Sequence, residues 1–213
     1  MSTRSVLTLI AMMGALSAVP TSARAQSAAG HATAAIVNTP ATGSQTFAAA
    51  TLPTAGGMTS ADADAATVPN LLGADGLRSI ATGQFGDSGA SVTATAETAN
   101  LNVLNGLITA KAVVALATSY ATGATAASEA NGSTLLALVV NGVAYDDGPP
   151  APNTRINLPG TGYVVLNEQI AQGDGIHTSA LTVNMIHVYL TDALTGSTTG
   201  EIIVGSAQSS ASR

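Results

Sequence analysis

From about Gly76 onward the chain alternates short aliphatic runs with turns built from Gly, Asn and Pro. This is the pattern of closely spaced β-strands. Leu107 to Thr118 is rich in apolar residues, and its one charge, Lys111, shares an alternating face with Thr109 and Val113. Leu135 to Val143 is β-branched and aliphatic and ends in Asn141-Gly142, a tight-hairpin dipeptide. Arg155–Leu158 and Tyr163–Asn167 flank Pro159-Gly160-Thr161-Gly162 and read as a second hairpin. Ala180 to Leu190 is the strongest strand. Leu181, Val183 and Met185 share one phase, while Ile186, Val188 and Leu190 share the other. A change of phase between Met185 and Ile186 predicts either a β-bulge or burial on both faces. Glu201 to Ser206 supplies the last strand.

Helix competes with strand around Ala99 to Ala117, because alanine has the highest helix propensity. The Thr, Val, Ile and Gly around it, and the lack of clear helix caps, favour a pleated surface. The expected fold is all-β, an antiparallel sandwich or jelly-roll-like domain. No repeat of fixed period suggests a solenoid. With aromatics at 3% of the chain, the core must be filled by Ala, Val, Leu and Ile, so the facing sheets should approach closely. The expected organisation is a cleaved export segment at 1–25, then a low-complexity arm or edge strands at 26–76. A sandwich domain at 77–207 and a flexible tail at 208–213 follow. The second segment is rich in Ala, Thr, Ser and Gly, with few bulky anchors beyond Ile36, Val37 and Phe47.

Charge and composition narrow the function classes. The 213 residues hold 6 Lys+Arg against 12 Asp+Glu, a formal charge of −6, and only 8% are charged. So few cations argue against a phosphate-tracking nucleic-acid surface. The chain has no cysteine, which removes disulfides, thiolate metal sites and Cys nucleophiles. Arg4, the uncharged run Val6–Val19, Pro20 and Ala23-Arg24-Ala25 match a secretory signal cleaved after Ala25. The run is shorter than the roughly 20 residues that a spanning helix needs. The expected product is a secreted protein without a membrane span, working at the cell surface, outside the cell or in the periplasm.

Several motifs resemble known chemistry, and each has a plainer explanation. Leu158-Pro159-Gly160-Thr161-Gly162 spells a sortase signal, yet no apolar stretch with a basic tail follows it. Pro and Gly there suit a turn. Gly86-Asp87-Ser88-Gly89 repeats the nucleophile sequence of chymotrypsin-like proteases, but His31 is the only upstream histidine able to serve as base. His177 and His187, with Asp174, are too few for a zinc site, and His187 sits in an apolar strand. Asp62-Ala63-Asp64 and Asp146-Asp147-Gly148 offer hard oxygens for calcium without a complete loop. Glu97, Glu129, Glu168 and Glu201 are scattered, so no spacing marks a glycosidase pair. Phe47, Phe85, Tyr120, Tyr145, Tyr163 and Tyr189 are the only rings a glycan surface could use. No catalytic residue, cofactor or definite metal ligand is therefore expected.

Asn100 to Ala110, Leu158 to Gly162, Val165 to Gln169, Leu181 to Val188 and Ile202 to Ala207 occur in an order that resembles the bacterial choice-of-anchor P family of exported proteins. The resemblance spans roughly Gly76 to Ala207. It implies an exported domain carried by variable surface anchors, and it assigns no functional residues. The expected role is a non-enzymatic structural or interaction protein that self-associates by strand addition or binds another extracellular protein. The alternative is an extracellular module that binds glycan or calcium.

Overall fold

The computed structural model describes residues 26–213; the expected export segment lies outside the described residues. Among the described residues fourteen strands and no helix follow in order, and none of these residues forms a helix long and apolar enough to cross a membrane. They are β1 (Ser27–Thr39), β2 (Gly43–Thr51), β3 (Gly57–Val68), β4 (Leu72–Gly86), β5 (Gly89–Val103), β6 (Ile108–Thr122) and β7 (Thr125–Glu129). Then come β8 (Thr134–Leu136), β9 (Val139–Val140), β10 (Val143–Ala144), β11 (Thr154–Leu158), β12 (Gly162–Gly173), β13 (Thr178–Thr191) and β14 (Thr198–Ser212).

They form two antiparallel sheets packed as a sandwich, as the alternation predicts. One runs β11-β12-β13-β14-β1-β2 and the other β10-β9-β6-β5-β4-β3, with β7 and β8 also pairing β6. Both expected hairpins form. Leu158 pairs Gly162 across the Pro-Gly turn, and Val140 pairs Val143 across Asn141-Gly142. Asn141 and Gly142 both take positive φ (50° and 76°), the requirement of the two-residue turn that matches strand twist.

The segment 26–76, expected as an arm or edge strands, holds β1, β2, β3 and the start of β4. β1 lies inside the first sheet, between β14 and β2, with Ala32, Ala34, Ala35 and Val37 fully buried. Of these strands β2 and β3 lie at sheet edges, and the expected boundary at 76/77 falls within β4. The tail expected at 208–213 is the end of β14, where Ser212 pairs Ser27. Composition misled here because small residues carry little apolar signal, yet they fit where two backbones pack closely.

Close packing is visible at the hydroxyls. Thr98 Oγ1 donates to the Ala34 carbonyl of the opposite sheet at 3.2 Å, and Ser119 Oγ lies 2.8 Å from Ser209 Oγ. So short a side chain reaches across only if the sheets sit well inside the usual ~10 Å spacing. Alanines fill the centre (Ala94, Ala96, Ala115, Ala117), while Leu77, Ile108, Leu135, Leu166, Met185 and Ile202 fill the wider parts.

The change of phase predicted at Met185/Ile186 belongs to a crease that crosses both sheets. Along a regular strand, inward residues recur every second position. Here one step in each of six long strands is three residues. Val183 is followed by Ile186, Val204 by Ala207 and Ala32 by Ala35 in the first sheet. Ala74 is followed by Leu77, Thr98 by Leu101 and Ala110 by Val113 in the second, all of them buried. Gly76, Asn100, Asn167 and Gly205 take left-handed φ at the crease (54°, 47°, 48° and 68°). In the first sheet, pairing resumes in the same register on both sides: Leu166 with Ile186 and Glu168 with Asn184, then Ile186 with Val204 and Asn184 with Ser206. Neighbouring strands therefore reverse phase together, and both halves keep an apolar face inward.

Candidate functional site

The crease creates a dense polar cluster on the outer face of the first sheet. Along a straight β12, Glu168 would face the opposite side from Tyr163 and Val165. The left-handed Asn167 turns it outward, beside His187 of β13. His187 Nδ1 lies 2.7 Å from Glu168 Oε2, and Nε2 lies 3.1 Å from Glu201 Oε2 on β14. Asn184 Nδ2 donates to Glu168 Oε2 at 2.7 Å, and the Tyr189 hydroxyl donates to Oε1 at 2.9 Å. The side chains of His187 and Glu168 are only 8% and 13% exposed, so solvent screens their interaction weakly.

The electrostatics follow from these bonds. The hydrogen bond to His187 does most to hold the Glu168 carboxyl down at about 2, against the opposing effect of burial; Asn184 and Tyr189 add to the lowering. Burial, followed by the bond to Glu168, pushes the Tyr189 hydroxyl well above the usual phenol range. Planar groups then stack in sequence across three strands. Arg155 lies 3.8 Å over Tyr163, Tyr163 stacks on Tyr189 at 4.7 Å, and Tyr189 stacks on His187 at 3.9 Å.

This arrangement orders the sheet face. Both ring nitrogens of His187 are engaged, on opposite sides of the ring, so the two carboxylates and the imidazole cannot converge on one ion. Among the described residues no three His, Asp or Glu side chains gather in metal-ligand geometry. Stacking neighbours cover Tyr163 (Arg155 and Tyr189) and Tyr189 (Tyr163 and His187), which weakens the glycan platform that these rings could otherwise form. A neighbouring groove of about 320 Å³ on the same sheet face is bordered by His31, Thr51, Ile170 and Gln208. His31 has both nitrogens bonded there, to Thr51 and Thr33.

The other candidates are held apart. Ser88 is exposed at the tip of the β4–β5 hairpin, where Gly86 pairs Gly89, and no histidine bonds it. Asp62 forms an exposed ion pair with Arg78 at 3.5 Å. Asp147 accepts the Ala137 N–H at 2.7 Å, and Glu129 accepts from Asn131. Glu97 faces Arg78 across β4–β5. His177 and Asp174 do meet, at 3.1 Å, but as part of a turn. Asp174 Oδ1 accepts the N–H groups of Ile176, His177 and Thr178, which hold its carboxyl far below the ordinary range. Asp174→Ala is expected to speed amide hydrogen exchange at those three residues while leaving β14 protected. Unchanged exchange there would show that the turn does not need this cap.

What the sequence did not yield is the pairing of His187 with Glu168 and Glu201. The available signal was the phase change at Met185/Ile186: the same change in β12 puts position 168 on the face of position 187. The fold and this cluster define a two-sheet β-sandwich with a hydrogen-bonded polar cluster on one outer face. No family model, no curated protein and no solved structure matches the chain.

Proposed function

We propose that this chain is an exported, non-enzymatic structural protein that assembles with copies of itself by strand addition at β2. The observation that carries the reading is the character of that edge. β2 closes the first sheet, runs nine residues and contains neither a charge nor a proline. The remaining edges carry features that discourage pairing. β3 holds Asp62 and Asp64, β7 has five residues and ends in Glu129, β8 has three and β10 two, and β11 has five, with Arg155 among them, following Pro149, Pro150 and Pro152. A second copy pairing β2 with β2 about a two-fold axis would continue the sheet and satisfy the open backbone groups of both strands. Support for an exported role comes from the signal-like sequence before Gln26 and from the resemblance to the choice-of-anchor P family. The engaged state of His187, the isolation of Ser88 and the bonded Asp147 favour this reading over catalysis or calcium binding.

Light scattering on the mature chain tests the assembly. The parent is expected to form dimers or larger species whose population rises with concentration. Thr46→Lys, at an exposed position in β2, is expected to shift the protein to monomer with its circular dichroism unchanged. A Lys opposite its own copy adds like-charge repulsion without disturbing the pairing of β2 with β1. A parent that stays monomeric at high concentration, or a variant that assembles as the parent does, overturns the reading.

A further inference from the structure

Cleavage after Ala25 would leave Gln26 as the first residue, and the inference here rests on that export reading. Gln26 immediately precedes β1 at the end of the sandwich where the β4–β5 hairpin turns. Its side-chain carbonyl Oε1 accepts the backbone N–H of Gly86 at 3.1 Å. The next residue is pinned: Ser27 pairs Ser212 across the sheet, and their hydroxyls lie 2.7 Å apart. An N-terminal glutamine thus sits immediately before a strand, with its side-chain carbonyl held by a hydrogen-bond donor.

We infer that Gln26 closes on itself to give an N-terminal pyroglutamate. The neutral α-amine attacks the side-chain amide carbon, a C–N bond forms in a five-membered lactam, and the Cδ–Nε2 bond breaks. The nitrogen leaves as ammonia, taking up a proton lost by the attacking amine. No oxidant, reductant or second substrate enters the balance. The Gly86 N–H donates to the oxygen on which negative charge grows as the amine adds, which is the sense in which a fixed donor assists addition to a carbonyl. That oxygen remains in the product as the lactam carbonyl. The product has no ionisable amino group. It removes one positive charge from an acidic chain and denies aminopeptidases the free amine that they require, a useful property for a structural protein outside the cell.

Mass spectrometry of the full chain, expressed with its own export segment and recovered after export, tests this. Trypsin should release Gln26–Arg78 as one peptide, since no Lys or Arg lies between. The expected peptide is lighter than its sequence mass by one ammonia and gives no product on stepwise N-terminal degradation. Gln26→Glu should retain a free amine under the same conditions, because hydroxide is a poorer leaving group from a carboxylate than ammonia from an amide. A peptide that begins at Gln26 with its full mass overturns the lactam and leaves the export reading intact. A peptide that begins at any other residue overturns the cleavage position and the lactam with it.

Discussion

Gly205→Ala is expected to destabilise the protein by about 3 kcal/mol, the sum of left-handed strain on a residue with a Cβ and of overpacking. Gly205 has φ 68°, and a Cβ there would come within 2.9 Å of Val113 Cγ1 on the facing sheet and 3.5 Å of Met185 Cβ. Neither neighbour is free to yield, because Val113 and Met185 are both fully buried. For a chain of this size the effect corresponds to a fall in Tm of roughly 10 °C. Thermal unfolding followed by circular dichroism measures it. Ala137→Gly is the control: Ala137 has φ 50° on the exposed surface, so removing its Cβ relieves strain without opening the core. That variant is expected to change stability by less than about 1 kcal/mol. Equal losses in both variants would show that the crease tolerates a side chain at Gly205 and that backbone conformation there is not the constraint.

Glu168→Gln is expected to cost on the order of 3 kcal/mol near neutral pH, and the loss should depend on pH in a defined direction. The ordinary value of the carboxyl is 4.5, and the fold lowers it to about 2, first through the bond to His187. A lowered carboxyl favours the folded state wherever the unfolded chain would already be ionised. The contribution is therefore complete above about pH 4.5 and disappears as the pH falls towards 2. Asp174 and Asp192 are lowered too, by backbone N–H groups in their turns, so the parent's acid limb is not due to Glu168 alone. The difference between parent and variant isolates it. Urea unfolding at a series of pH values should give a gap that is widest at neutral pH and closes on acidification. A gap that is constant with pH would mean that Glu168 acts by packing and not by charge.

Residues with bulky side chains made their part of the fold legible. Leu181, Val183, Ile186 and Val188 announce both a strand and its change of phase, and the Asn-Gly and Pro-Gly turns mark hairpins because few other residues satisfy those dihedrals. β1 was not legible, since Ala32, Ala34 and Ala35 are weakly apolar and gain their burial from the closeness of the opposite sheet. The polar cluster was half legible. His187 stood out as a histidine in an apolar strand, but Glu168 and Glu201 come from strands on either side of it and show no spacing relation in the chain.

The linear order of side chains thus determined strands over helices, the positions of the tight turns and an aliphatic core poor in rings, because each depends on local dihedral preference and on alternation. Only the assembled tertiary structure decided that the first and last long strands lie side by side, and that one crease runs across the long strands of both sheets. It alone brought two distant glutamates to the same imidazole. Those outcomes depend on contacts between residues far apart in the chain, and strand neighbours and their phase are settled only when both sheets bury their inner faces against each other.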